Sequence, residues 1–314
     1  KGSFFADGEI RPLWDLVMDS DRTLSGHVHT EGSVGGTLAD PKILGEGTVA
    51  SGRFEDGATG LILTNLQVGA RFVNEAIDVT QAVGSDPHGG SVSGGGRINL
   101  ARNGDSSFRL DLKGFRVIDN DTASATATGP ITVDRKADGK MLLSGALAVN
   151  EAQIAAKPPT PSGVVTMEVV ERNKPVDVGS RLTAAAPRSG PGIALDVSLK
   201  APRRVYLRGR GLDMEFSLDA HVGGSTTRPV LDGVARVVRG DYDFAGKRFE
   251  FDSRGVVYLA SSAQAIRLDL TAIRSDTSLV AVVRVSGTAA KPVITLTSSP
   301  VLPNDEVLSL GEGE

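Results

Sequence analysis

"GLDMEFSLDAHVGG", residues 211–224, alternates without a slip. Leu212, Met214, Phe216, Leu218, Ala220 and Val222 fall on one side, and Asp213, Glu215, Ser217, Asp219 and His221 on the other. Successive side chains of an extended strand point to opposite faces, so this stretch predicts a strand with one greasy and one wet face. The same alternation runs through "GIALDVSLKA" (Ile193, Leu195, Val197, Leu199), "SFRLDLKG" (Phe108, Leu110, Leu112) and "AIRLDLTA" (Ile266, Leu268, Leu270). In "DYDFAGKRFEFD" it places Tyr242 and Phe244 in one strand and Phe249 and Phe251 in the next, joined by a glycine turn. The expected fold is all-β: a long, antiparallel-rich sheet whose apolar face must be closed by folding over, by a second sheet or by a ligand.

Three related phrases interrupt the alternation: "GTLADPKI" at 36–43, "GSTTRPVL" at 224–231 and "GTAAKPVI" at 287–294. Each reads Gly, Thr or Ser, three variable residues, Pro, any residue, then Ile or Leu. Glycine permits a positive φ where a strand ends, and proline, unable to donate to a ladder, suits the first position of a new strand. The phrase therefore reads as a corner between strands, and its unequal spacing marks a degenerate, quasi-repetitive β structure.

Composition agrees. The 314 residues are 40% apolar but only 4% aromatic, and 38 glycines punctuate the chain as turns do in a many-stranded sheet. Helix is expected only over Pro12–Met18, where Leu13, Leu16 and Val17 have helical spacing, and in a second short piece after Pro303. The proline-rich "AQIAAKPPTPSG" (152–163) is the one marked linker. It divides residues 1–157, repeat-like β layers, from a C-terminal β domain over 158–314, with the seam at 157–161. "SDPHGGSVSGGG" (85–96) reads as a loose loop between strands.

Several chemistries are excluded or left without support. There are no cysteines, hence no disulfide, thiolate or Cys-zinc chemistry, and a net charge of −4 offers no field for nucleic acid. The chain has neither an 18-residue apolar run nor a signal peptide; it begins at Lys1, not at a methionine, and reads as a piece of something longer. "GDYDFAGKR" imitates a phosphate loop, but Gly240 and Gly246 enclose five residues and Arg248 occupies the place of the metal-binding hydroxyl. His27 and His29 share a strand face without a third ligand at matching local spacing, and read as a solvent-face pair. Pairs such as Asp241 and Asp243 are what any wet face carries. No cofactor and no catalytic centre is called for.

"APRRVYLRGRGLD" is more pointed. Alternation puts Arg204, Tyr206, Arg208 and Arg210 on the wet face, a row of guanidinium donors suited to phosphate or carboxylate groups. The bland reading is a ribbon paired with cross-strand acids.

Residues 193–310 carry the phrases R-G-R-G-L-D (208–213), R-G-x-Y-x-F-x-G-K-x-F (239–249) and a closing G-T-x-x-x-P-x-I followed by S-x-P and D-E-V-L-S. These resemble the C-terminal domain of the TamB family, translocation and assembly module subunits among the AsmA-like, bridge-type lipid-transfer proteins; residues before 162 resemble its preceding repeat layers more loosely. The resemblance implies a sheet folded lengthwise into a trough (a β-taco, elongated and solenoid-like) with an aliphatic interior. It also implies a periplasmic location, an inner-membrane anchor outside this chain, a TamA-like outer-membrane barrel of the BamA type as partner, phospholipid as cargo, and support for autotransporter and barrel assembly. On that reading Leu195, Val197, Leu212, Met214, Phe216, Leu218, Phe249, Phe251, Leu268 and Leu270 line the trough. Val283, Val285, Ile294 and Leu296 complete the end nearest the outer membrane, and Arg204, Arg208 and Arg210 offer headgroup contacts. A structural or adhesin-like β-solenoid with a packed core would show the same alternation, and a carbohydrate-active β-helix would need a carboxylate cluster in one groove.

Overall fold

The computed structural model describes residues 2–15, 22–37, 41–101, 103–156, 192–244, 246–275 and 280–299. It is a single sheet. In chain order its first nine strands are β1 (Gly2–Glu9), β2 (Arg22–Gly36), β3 (Pro41–Asp56), β4 (Leu61–Asn74), β5 (Ala76–Ser85), β6 (Ser91–Asn99), β7 (Ser106–Asp119), β8 (Ala123–Arg135) and β9 (Met141–Ala155). The remaining eight are β10 (Ala194–Gly209), β11 (Leu212–Ser225), β12 (Arg228–Phe244), β13 (Lys247–Phe251), β14 (Val256–Ala260), β15 (Arg267–Ser275), β16 (Val280–Gly287) and β17 (Pro292–Ser299).

Each strand pairs with the next in antiparallel fashion from β1 to β9. β10 then lies parallel to β9, paired from Ala194 opposite Leu142 to Arg208 opposite Ala155 with a register shift between Lys200 and Val205, and the antiparallel meander resumes to β17. β13 and β14 share one position between β12 and β15, interrupted by the turn at 252–255. The proline-rich stretch from 157 lies outside the described residues. Alternation works here because nearly every strand is flanked on both sides, so its backbone groups are satisfied by ladders and its side chains need only choose a face.

The three corner phrases close on the same Gly–Pro pair, residues 38–40 of the first lying outside the described residues. Gly36 pairs with Pro41, Gly224 with Pro229 and Gly287 with Pro292, and the three glycines have φ of 76°, 76° and 83°. The hydroxyl of the second position ties the turn, because the Arg228 N–H donates to Ser225 Oγ at 3.2 Å and the Lys291 N–H to Thr288 Oγ1 at 3.2 Å. Proline then opens the new strand at a pair where its missing N–H is tolerated. Since the strands meander, all three corners lie on the same long rim of the sheet.

Register shifts cross the middle of many strands, at 49–52 in β3, 64–67 in β4, 79–82 in β5, 112–115 in β7 and 201–205 in β10. Ser51, Asn65 and Arg204 adopt positive φ there, of 53°, 52° and 68°. A bulge bends its strand and increases local twist, and these bulges lie in the interior of the strands, away from their ends.

Two expectations need correction or narrowing. The Gly-Ser stretch is not a loose loop: Ser91–Asn99 is β6, and only residues 86–90 turn. Gly94 and Gly96 are held because β7 passes close, and a Cβ at Gly96 would collide with the Ser107 carbonyl oxygen. The turn itself is tied by buried Asp86, which accepts N–H bonds from His88 (2.7 Å), Gly90 (3.0 Å) and Arg116 (2.6 Å). Burial alone would raise the Asp86 pKa, but these donors outweigh it and hold the carboxyl below its ordinary value. The expected helix over Pro12–Met18 is a turn, α1 (Arg11–Asp15), whose Trp14 Nε1 donates to Arg22 O at 3.0 Å; residues 16–21, and the segment after Pro303, lie outside the described residues.

The corner geometry predicts an order of stabilities. A Cβ at Gly224 would collide with the Arg228 carbonyl oxygen, whereas Gly139, with a similar φ of 82°, has nothing within 4 Å. Gly139→Ala should cost about 1 kcal/mol in urea unfolding from backbone strain alone, and Gly224→Ala about 2–3 kcal/mol. Equal losses would mean the corner is not closed as described.

Candidate functional site

Cross-strand partners share a face, so register decides what the apolar rows do together. Leu218 lies between Ala201 and Ala235, Phe216 between Val205 and Val237, and Met214 between Leu207 and Gly240. Leu212 pairs with Tyr242, Tyr242 with Phe249, Phe251 with Ala272, Ala272 with Val283 and Val283 with Leu296. Leu268 pairs with Val257, Leu270 with Val285 and Val285 with Ile294, while Val197 pairs with Val222 and Leu195 with Leu143. All fourteen residues singled out in the sequence therefore stand on one continuous face from β9 to β17.

That face is unevenly closed. Met214, Phe216 and Leu270 form one buried cluster with Ala201, Val205, Ala235 and Val237, against which Leu212, Leu218, Phe251 and Val285 pack half-buried. Val197 belongs to a second cluster with Leu112, Phe115 and Leu147, and Phe249 to a third with Ala272 and Ala281, bordered by Val283 and Leu296. Leu195 and Leu268 are half-buried outside these clusters, and Ile294 on β17 is 67% exposed. Met214 alone among the described residues is a large side chain that is fully buried.

The opposite face is a charge ladder. Arg208 Nε donates to Asp213 across β10–β11 at 3.1 Å, Arg239 Nε to Glu215 across β11–β12 at 2.6 Å, and Arg248 to Asp241 across β12–β13 at 2.5 Å. The expected single row of arginines does not form. Arg204 sits in the β10 bulge at φ 68° and Arg210 in the two-residue turn to β11 at φ 56°, because the extra bulge residues and the tight turn break the period of two. Arg208 keeps its wet-face place and stacks over Tyr206 at 4.3 Å.

Glu215 is where alternation misleads. It faces outward but is 6% exposed: the Arg204 N–H donates to its Oε1 at 3.2 Å, Arg203 approaches to 4.0 Å, and Arg239 takes the other oxygen. The hydrogen bond from Arg239 is the largest cause holding the Glu215 carboxyl below its ordinary value, with the Arg204 N–H aiding and burial opposing. The only signal in the sequence was the Pro202-Arg203-Arg204 break in alternation. Near the other end of the sheet, His27 Nε2 and His29 Nδ1 lie 3.1 Å and 2.9 Å from the two oxygens of Asp7 on β1, a contact that strand pairing supplied and sequence spacing could not. No three-ligand metal set occurs among the described residues, and no helix among them is long and apolar enough to cross a membrane.

A sheet of this kind, with an apolar face continuous from β9 to β17 and a charge-laddered back, belongs to the class of all-β proteins built on one long, mostly antiparallel sheet. Residues 80–313 match the family described as the TamB C-terminal domain, and the chain belongs to that family. It is also 25% identical over 307 residues, 93% of its length, to the translocation and assembly module subunit TamB of Haemophilus influenzae, of which it spans 23%.

The Glu215 network yields a pH test. A carboxyl whose pKa is depressed by folding stabilises above the unfolded-state value of about 4.5, and that contribution is lost as pH falls through the lower folded value. Glu215→Gln should therefore destabilise by about 1–3 kcal/mol at pH 7, with the gap from the parent chain closing below about pH 4.5. Urea midpoints of both proteins across that range provide the measurement; a gap independent of pH contradicts the charge-assisted role.

Proposed function

We propose that this chain is a section of a lipid conduit in a Gram-negative envelope. The sheet folds lengthwise, bending at the bulges within its strands, into a trough, and the apolar face from β9 to β17 carries phospholipid acyl chains toward the outer membrane. The observation behind this reading is that the face is continuous yet mostly half-buried, with Met214 its one fully buried large side chain among the described residues. A protein core of close-packed density leaves no such rows of half-covered Leu, Val and Phe. Each methylene sheltered on the face contributes about 0.8 kcal/mol without directional demand, which suits a chain that must be held and also slide.

The name of the Haemophilus relative, translocation and assembly module subunit, supports a second part of the proposal. The conduit serves outer-membrane protein assembly together with a TamA-like barrel, the longer protein supplying the inner-membrane anchor. Residues 1–157 extend the trough as repeat layers and 158–314 form its distal domain. Headgroups contact Arg208 and the exposed Arg204 and Arg210. The reading requires no catalysis.

Photo-crosslinkers distinguish a conduit from a packed solenoid. Placed at Leu218 or Leu268, they should capture phospholipid, and at Asp219 or Asp269, which face the other way, they should not. Leu218→Asp should abolish lipid co-purification measured by native mass spectrometry, or unfold the domain. Equal labelling of both faces, or of neither in a folded protein, would remove the lipid reading and leave the solenoid.

A further inference from the structure

The stretch of this rim between the second and third corners has a composition of its own. Residues 224–231, 261–267 and 287–294 contain Arg228, Arg267 and Lys291, all exposed, several hydroxyl residues, and not one Asp or Glu. They form one hydrogen-bonded border: the Leu231 N–H donates to Ser261 Oγ at 2.9 Å, the Ala289 N–H to Ile266 O at 3.0 Å and the Ala290 N–H to Ala263 O at 3.0 Å. Arg267 also bridges to Thr288 through its backbone. The cations are thus mounted on a fixed edge. Four strand spacings separate the Arg228 corner from the Lys291 corner, about 19 Å along the sheet.

The same edge protrudes apolar groups on the outward side. Val230 and Val293 occupy the same position in their two corners, directly after the proline, and are 49% and 56% exposed. Each lies against its corner glycine, near enough that a Cβ there would meet the valine at 3.0 Å in one and 3.3 Å in the other. Tyr258, also exposed, stands between them beneath the Arg267 guanidinium at 5.0 Å. The first corner serves as an internal contrast, since its sequence has Asp40 where the others have Arg228 and Lys291, and Lys42 in place of the valine. On this side the carboxylates begin inside the strands: Asp232 in β12 is opposite His221, and Asp269 in β15, two residues beyond Arg267, lies 3.4 Å from Arg284.

Cations interleaved with exposed aliphatic and tyrosine side chains, on a border free of acids, match the interface of an anionic bilayer. The cations meet lipid phosphates, and the valines and the tyrosine ring enter the boundary between headgroups and acyl chains. We infer that the distal rim, through Arg228, Arg267, Lys291, Val230, Val293 and Tyr258, docks on an anionic membrane surface. This interaction is separate from the carriage of lipid on the apolar face.

Vesicle flotation with the whole chain tests it. The protein should float with vesicles of phosphatidylglycerol in phosphatidylcholine, far less with phosphatidylcholine alone, and detach as salt rises. The triple variant Arg228→Gln, Arg267→Gln, Lys291→Gln should weaken binding about a hundredfold, and Val230→Ser with Val293→Ser should weaken it about tenfold. A control with equal charge loss, Lys42→Gln, Lys113→Gln, Lys136→Gln, should bind like the parent. Co-purified lipid measured in every variant keeps the test apart from the conduit reading. If the rim variant loses vesicle binding but keeps its lipid, docking stands on its own. No binding by the parent, no loss in a folded rim variant, or an equal loss in the control overturns it.

Discussion

Cross-strand register is the constraint on which this protein depends. An apolar face that runs from β9 to β17 stays coherent only if each strand delivers its apolar row to the same side as its neighbour, and a slip of one residue would turn a whole row to water. The pairs Phe216–Val237, Leu218–Ala235, Leu270–Val285 and Val283–Leu296 keep that side through successive antiparallel steps. The parallel β9–β10 pair does the same, setting Leu195 beside Leu143 and Leu199 beside Leu147. The apolar face is thus a property of the pairing as a whole and of no single strand.

Bulges shift the register within single strands while the apolar rows on either side stay paired on one face. They cost ladder bonds and force Ser51, Asn65 and Arg204 into positive φ. At β10 the cost is offset by a use: the bulge covers Glu215 and donates an N–H to it, while Arg239 neutralises it. A buried carboxylate on an otherwise wet face would be unfavourable without these partners. The β10 bulge and the charge ladder therefore support one another at Glu215.

The rim that carries the corners has a related origin. Meander topology brings every second hairpin to the same border, so a motif repeated in sequence becomes a line in space. The corners at Gly224 and Gly287 add their cations and valines to one edge, and hydrogen bonds to the 261–266 loop unite them. Repetition too irregular to give a period along the chain still gives an ordered edge.

Much of this was legible in the residues. Alternation around Leu212–Val222 fixed strand, face and amphipathic character, since a period of two has no other structural meaning, and the Gly-x4-Pro phrases marked hairpins because only glycine takes the required φ cheaply and proline cannot donate. Of the phrases behind the family resemblance, R-G-R-G-L-D, R-G-x-Y-x-F-x-G-K-x-F and G-T-x-x-x-P-x-I fall on hairpins and their flanking strands, while D-E-V-L-S lies outside the described residues. Tertiary structure alone decided what depends on the neighbour. It made a strand of the glycine-rich 91–96, buried Glu215 and joined Asp7 to His27 and His29. It also broke the arginine row at Arg204 and Arg210, because bulges and pairing partners are set by the adjacent strand and leave only a faint trace in the local sequence.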